Sequence, residues 1–296
     1  MIIGGSGFIG THLALRLRET YKVFATAHQN MMRLPGVTFI PANLNKRDWL
    51  KRVVYLIRPN VVIFAAGSSD VEQAEKDHRA FEDIHTSGAG NAAQVADMFQ
   101  PRFIYLSSCY TFDGNRGNYR ETDTVLPGTA LGKAKLGGEN LVRTRSLNHI
   151  LLRSSPVLGV GNGLHFSFLD QLRMKLDRGQ RIELPDDEIH SFVTIDSLVE
   201  VVERLAESGL RNKIVHYGGL TKLSTLDMGR RFARRFGFDP GLIIPRKVSY
   251  KPVGLNAPEF LDFSLNSTFA AENLKVQPLL LEEGFDLIEK NLIARS

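Results

Sequence analysis

The stretch Ile3-Gly-Gly-Ser-Gly-Phe-Ile-Gly10 decides how this chain folds. It satisfies two overlapping spacings, G-x-x-G-x-x-G at Gly4, Gly7 and Gly10 and G-x-G-x-x-G at Gly5, Gly7 and Gly10. Glycines at such spacing let a strand-to-helix turn take positive φ. They also let the backbone approach a pyrophosphate and let the helix pack closely on the sheet. The following helix then offers unpaired N–H groups and a partial positive charge to phosphates. A strand-like run, Met1 to Ile3, comes before the glycines, and an amphipathic helix carrying Leu13 and Leu17 comes after them. That context makes the stretch a dinucleotide-binding turn rather than a tight turn without a ligand. The first strand is short.

Working outward, β-branched runs alternate with helical patterns. Lys22 to Ala27, Val37 to Ile40, Val61 to Ala65, Arg102 to Ser107 and His149 to Arg153 read as strands, several apolar on both faces as buried parallel strands are. Helical spacing fills residues 8–19, 46–57, 77–99 and 132–145. The alternation predicts an α/β fold with a doubly wound parallel sheet. The second half is less regular. It holds a Gly/Pro-containing region from Ser155 to Pro185, a strand at Phe192 to Ile195, a helix from Asp196 and a strand at Lys213 to Tyr217. Further helices are punctuated by Pro240, Pro245, Pro252 and Pro258. We expect a dinucleotide-binding domain over 1–158, joined by 191–217. A smaller, irregular substrate lobe over 159–190 and 218–296 is expected to close over the carboxyl edge of the sheet.

Composition removes whole classes of function. With 43% hydrophobic and 23% charged residues in 296, the chain is an ordinary globular protein and not a disordered one. The single cysteine, Cys109, excludes a disulfide framework and a cysteine-based metal site, so a reducing, cytoplasmic setting is expected. No metal is expected, and because no basic region followed by an apolar run opens the sequence and no run of about 18 apolar residues occurs in it, neither an export signal nor a membrane partner is expected. The net charge of +5 and the Arg230, Arg231, Arg234 and Arg235 cluster raise the question of nucleic acid. Because these arginines alternate with Phe232, Ala233 and Phe236 at helical spacing, we read them as the polar face of an amphipathic helix, with no nucleic-acid partner expected.

Five ordered motifs, spread through nearly the whole chain, resemble the extended short-chain dehydrogenase/reductase family, and within it the dTDP-4-dehydrorhamnose reductase-like branch. Beyond the glycine turn they are Pro41-Ala-Asn-Leu44, Phe64-Ala-Ala-Gly-Ser-Ser-Asp-Val71, Tyr105-Leu-Ser-Ser-Cys-Tyr-Thr-Phe-Asp-Gly114, Arg153-Ser-Ser155 and Asp262-Phe-Ser-Leu-Asn-Ser267. The resemblance implies an NAD(P)-binding Rossmann fold and hydride transfer to or from a nucleotide-linked sugar. It places Gly4, Gly7, Phe8, Ile9, Gly10, His28, Asn43, Leu44, Ala65, Ala66, Gly67, Ser107 and Lys135 at the cofactor. It places Ser69, Cys109, Tyr110, Phe112 and Arg153 at the substrate, with Ser108 orienting the carbonyl oxygen and Lys135 bonding the nicotinamide ribose. Ser108 could equally cap a turn. The end of the second strand, Thr26-Ala-His-Gln-Asn30, has no carboxylate to hold a ribose 2′-OH and Arg33 stands nearby, which favours NADP and leaves NAD open. Members of the family often dimerise through helix pairs, which leaves a homodimer open.

The resemblance fails at its most important position. The stretch Leu126-Pro-Gly-Thr-Ala-Leu-Gly-Lys-Ala-Lys-Leu-Gly-Gly-Glu139 has the frame of the family's catalytic helix, in which a tyrosine precedes the lysine by four residues. Here Leu131 stands at the tyrosine position, and a hydrocarbon moves no proton. No tyrosine in the chain has a lysine four residues on. His85 replaces a usual asparagine, and Asn43 an adenine-side aspartate. Tyr110, Tyr119, Cys109 or a water held by Lys135 are candidate substitutes. Three functions follow: a sugar-nucleotide reductase or epimerase with an altered acid, a catalytically impaired cofactor-binding protein that regulates a partner, or a nucleic-acid-associated protein using the arginine helix.

Overall fold

The computed structural model describes residues 1–28, 31–44, 46–163, 165–250 and 259–293. Of the residues singled out above, Gln29, Asn30, Pro252 and Pro258 lie outside the described residues. Seven parallel strands form one sheet in the order β11-β6-β5-β4-β1-β2-β3. They are β1 (Ile2–Ile3), β2 (Val23–Ala27), β3 (Val37–Pro41), β4 (Val61–Phe64), β5 (Arg102–Ser108), β6 (His149–Ser154) and β11 (Lys213–Tyr217). Successive residues of a strand point to opposite faces, so the apolar runs of β4 to β6 supply two cores. Ile63, Ile104, Ile150 and Leu152 meet α1 (Phe8–Leu17), α8 (Ile195–Glu207) and α10 (Thr268–Leu274) on one face. Val62, Phe64, Phe103, Tyr105 and Leu151 meet α2 (Arg47–Ile57), α5 (Ala89–Ala96) and α6 (Ala130–Arg145) on the other. The sheet is doubly wound. The chain winds outward from β1 in one direction and from β4 in the other, which leaves a switch point between their carboxyl ends.

The helix expected over 77–99 is not one helix. The chain turns helical earlier, in α3 (Val71–Lys76), where the Asp70 carboxylate accepts from the Gln73 N–H at 2.9 Å. It breaks at Asp77, which caps α4 (His78–Phe81), and widens into a π-helical stretch at Glu82–Gly88 before α5. The wide turn accompanies a very close approach of α6. A Cβ on Gly138 would lie 2.1 Å from the His85 carbonyl oxygen and 2.4 Å from Tyr105 Oη, and one on Gly137 would lie 2.6 Å from Thr86 Oγ1. In that space Tyr105 Oη donates to the His85 carbonyl at 3.0 Å and Thr86 Oγ1 to the Ala134 carbonyl at 2.8 Å. Periodicity cannot register this contact, because both partners still look helical.

The rest of the chain builds short pieces of sheet beyond the carboxyl edge. Of the expected Phe192 to Ile195 strand only Val193–Thr194 (β10) is extended, paired with β7 (Val157–Leu158), because Thr194 already caps α8. β8 (Ile182–Pro185) pairs with β13 (Ile243–Arg246), and β9 (Glu188–His190) lies between β12 (Leu223–Ser224) and β14 (Leu261–Asp262). Around them α7 (Phe168–Asp177), α9 (Thr225–Arg235) and α11 (Leu281–Ile293) bury Leu172, Leu176, Phe232, Phe285 and Ile288. The arginine helix is α9. Arg231 bonds Glu282 at 2.8 Å, and Arg235 bonds Asp286 at 3.0 Å and Glu289 at 2.5 Å, so the acidic face of α11 absorbs much of its charge. Among the described residues no helix is long and apolar enough to cross a membrane, and no cluster of residues could hold a metal ion.

The contact between the π-helical stretch and α6 yields a stability prediction. Gly138→Ala forces a methyl against a backbone oxygen and should cost about 1–3 kcal/mol in urea unfolding. Gly209→Ala, where an added Cβ meets nothing within 4 Å, should stay within about 0.5 kcal/mol of the parent.

Candidate active site

The switch point opens into a cleft of about 970 Å³ between the sheet edge and the short strands. Gly4, Gly7, Phe8 and Ile9 line it after β1, and Ala65, Ala66, Gly67 and Ser69 after β4. His28, Asn43 and Leu44 line its outer end. The glycine turn has the shape a pyrophosphate requires. Gly4 takes φ +87°, and a Cβ there would lie 2.6 Å from the Ala66 Cα; a Cβ on Gly10 would lie 2.1 Å from the Gly4 carbonyl oxygen. Gly7 begins α1 without a side-chain cap, and no acidic residue occupies the first turn. The helix therefore presents its N-terminal N–H groups and positive end to the cleft. On the far wall Gly67, at φ +99°, leaves room for His85, which a Cβ would meet at 2.3 Å. Burial, and after it the Lys135 charge, push His85 well below its usual range. Its ring is neutral, with Nε2 2.8 Å from the Ser68 carbonyl, holding this loop in place.

Ser107, Ser108 and Lys135 line the inner end of the cleft, where β5 finishes. Ser108 plays the capping part: its Oγ accepts from the Tyr110 N–H at 3.3 Å, starting a short 3₁₀ turn at Cys109–Thr111. Lys135 reaches down from α6 and donates to the Leu106 carbonyl at 2.8 Å. Burial lowers its ammonium to about 7, against the opposing pull of Glu139 one turn on. Glu139 is itself buried and holds a bidentate pair with Arg153, Nε to Oε1 at 2.9 Å and a terminal nitrogen to Oε2 at 2.6 Å. Ser107 Oγ donates to the same carboxylate at 2.5 Å, so its hydroxyl is engaged beneath the cleft.

A second titratable group also faces the cleft. Tyr110, Glu188, His190 and Tyr250 all line it. The Glu188 carboxylate accepts from Tyr110 and His190 on one oxygen and from Tyr250 on the other. His190 Nε2 lies 3.3 Å from Tyr110 Oη, its Nδ1 lies 3.9 Å from Cys109 Sγ, and Phe263 stacks on the ring at 5.7 Å. Burial opposes charge on His190, but the Glu188 carboxylate outweighs it and raises the imidazole to about 10. Glu188 falls below its ordinary value despite burial, held down by His190. Burial and then Glu188 drive Tyr110 well above the ordinary phenol range. Our sequence reading missed Glu188, His190 and Tyr250. The signal available was an acid and a histidine two residues apart in Glu188-Ile-His190, a spacing that puts both on one face of a strand.

Residues 1–279 match the family model described as the RmlD substrate binding domain. The chain belongs to that family. It is 28% identical over 222 residues to a dTDP-4-dehydrorhamnose reductase of Aggregatibacter actinomycetemcomitans, covering 74% of this chain and 70% of the relative. It is 25% identical over 257 residues to methionine adenosyltransferase 2 subunit beta of Bos taurus, covering 83% and 74%. In fold it is similar to a dTDP-4-dehydrorhamnose reductase from Bacillus anthracis crystallised with NADP, at a TM-score of 0.83 and 20% identity over 98% of both chains.

Several residues that the resemblance assigns to the site lie elsewhere in this member of the family. Arg153, expected at the substrate, is buried in the Glu139 pair and lies 3.4 Å from His216 Nε2. Phe112 is fully buried, stacked on Tyr119 at 4.1 Å with the Arg153 guanidinium 5.3 Å from its centre. Cys109 is buried beside His190, and Tyr119 gives its hydroxyl to Asp113 at 2.6 Å. Gly10 serves helix packing and not the cleft wall. Leu131 is fully buried in an apolar cluster with Tyr110, Phe112 and Phe263, and it does not line the cleft.

Removing one partner of the Arg153 pair leaves a buried charge unpaired, so Arg153→Met should cost about 3–5 kcal/mol in urea unfolding. Arg153→Met/Glu139→Met should recover most of that loss. Unchanged stability in the single variant would return Arg153 to a direct role in the cleft.

Proposed function

We propose that this protein is an NAD(P)-dependent reductase of a nucleotide-linked sugar, reducing a ketone carbon of the sugar. The observation that carries the reading is a single cleft lined by the phosphate-ready turn Gly4–Ile9 at one end and by Ser108 and Lys135 at the other. Its volume is at the upper end of small-molecule sites. The likeness to dTDP-4-dehydrorhamnose reductases supports the substrate class. NADP is the favoured cofactor: β2 ends at Ala27 and His28, not a carboxylate, follows it, and the Bacillus anthracis structure holds NADP. When bound, the dinucleotide supplies the hydride. The first turn of α1 holds its pyrophosphate, Lys135 bonds the nicotinamide ribose, and Ser108 Oγ orients the carbonyl oxygen of the sugar.

A second reading has specific support. Leu131 removes the family's proton donor, and the chain is also similar to a methionine adenosyltransferase subunit beta. On that reading the protein binds the cofactor and acts through a protein partner.

Titration with NADPH, followed by addition of dTDP-4-dehydrorhamnose at 340 nm, separates the two. The reductase reading expects saturable NADPH binding, weakened about tenfold by Lys135→Met through loss of a charged hydrogen bond, and oxidation of NADPH once sugar is added. Binding without oxidation moves the protein to the second reading, and absence of binding overturns both.

A further inference from the structure

Leu131 leaves the catalytic helix without a proton donor, yet the cleft still holds phenols. We propose that Tyr110 is the proton donor of this site, positioned and recharged by the Glu188–His190 pair. The inference rests on the reductase reading and adds a residue to it.

Three observations single out Tyr110. First, the turn that carries Ser108 carries Tyr110 too, so a carbonyl oxygen held by Ser108 lies beside the same short turn. Second, that turn is set directly against α6. A Cβ on Gly132 would lie 1.9 Å from the Tyr110 carbonyl oxygen, and Leu131 packs in the same apolar cluster as Tyr110. The backbone of Tyr110 is therefore held next to the position where the family's tyrosine begins. Third, all three groups line the cleft, and Tyr110, 9% exposed against 4% for Glu188 and 1% for His190, is the most accessible of them. Tyr250 also donates to Glu188 and packs against the same cluster, but it comes from the segment after β13 and not from the turn that carries Ser108.

Proton transfer then balances within the chain. As hydride from a dihydronicotinamide bonds to the ketone carbon, the carbonyl π pair moves onto oxygen, and the Tyr110 hydroxyl, turned from Glu188 toward that oxygen, breaks its O–H bond to protonate it. The resulting phenolate takes a proton from His190 Nε2, 3.3 Å away, and solvent restores the imidazolium between turnovers. The groups facing His190 are Glu188 on its own strand, Cys109 and Tyr110 from the 3₁₀ turn, and the rings of Phe192 and Phe263. Of these, Glu188 is the carboxylate that keeps it charged. Burial and Glu188 hold the Tyr110 phenol well above its ordinary range, so the phenolate left by the step is a strong base that takes the His190 proton readily.

The test uses the full chain with NADPH and dTDP-4-dehydrorhamnose, and compares Tyr110→Phe, Tyr250→Phe and His190→Asn. Tyr110→Phe should lower kcat by about 100-fold or more with the NADPH Kd unchanged, the range of general acid catalysis. Tyr250→Phe should stay within about tenfold, and His190→Asn should lose the alkaline limb of the kcat/KM profile that deprotonation of His190 sets. Independently of turnover, ¹⁵N-histidine NMR should find His190 doubly protonated at pH 8 and neutral in Glu188→Gln. Turnover by the parent with Tyr110→Phe equally active, or a larger loss in Tyr250→Phe, overturns the assignment of Tyr110 alone. A neutral His190 at pH 8 in the parent overturns the recharging step. NADPH bound without turnover by the parent overturns the reductase reading and the donor together.

Discussion

The Glu139 carboxylate is buried on the inward face of α6, and the hydrogen bonds it accepts come from two neighbouring strands. Ser107 reaches it from β5 and Arg153 from β6, while Arg153 also contacts His216 on β11. Burial lowers His216 to about 4, so its ring is neutral. Its Nδ1–H donates to the Tyr119 carbonyl, and its Nε2 is left to accept from Arg153. A buried carboxylate without these partners would cost several kcal/mol. The network therefore fixes how α6 lies across three strands, and with it the place of Lys135 one turn away. Lys135 in turn is buried at the end of β5, where the Leu106 carbonyl and the Glu139 charge are what keep an ammonium there tolerable near neutral pH.

The two parts of the molecule meet over this platform through an apolar cluster and not through a linker. Tyr110, Phe112 and Leu131 from the sheet side pack with Leu261, Phe263 and Leu265 from the strands beyond. Phe263 touches both rings of the proton-bearing group, at 4.9 Å from Tyr110 and 5.7 Å from His190. Packing and acid chemistry thus share one junction. Leu131 belongs to the packing half of it: an aliphatic side chain there fills the cluster and is not lost from the cleft, which it never reaches.

Much of this was legible in the sequence because it depends on local patterns. The glycine turn, the doubly wound sheet and the βα alternation follow from spacing and from strands apolar on both faces, and Lys213–Tyr217 ends where its pattern ends. The break in the 77–99 helix was not legible, since it accompanies glycines fifty residues away on α6. Arg153 and Phe112 carry the right residue types for a substrate contact. Only the tertiary arrangement shows that Glu139 takes the guanidinium and Tyr119 the ring. Glu188 and His190 sit on a three-residue strand too short to give a periodic signal, so their meeting with Tyr110 depends on topology alone.

That topology bears on how a catalytic apparatus can be redistributed. In the family frame the proton donor and the lysine share one helix, so their separation is fixed by helical geometry. Here Tyr110 belongs to the sheet side and the charge behind it belongs to β9, so the hydrogen bonds that align the phenol cross the junction between the two parts. The alignment exists only while Phe263 and its neighbours hold β9 against the 3₁₀ turn. The two carboxylates of the site are also kept apart in function. Glu139 is neutralised by an arginine, which cannot release a proton near neutral pH, and serves structure. Glu188 is neutralised by a histidine, which can release one, and serves exchange. The choice of cation beside each buried carboxylate thus assigns one pair to holding the site and the other to changing its charge.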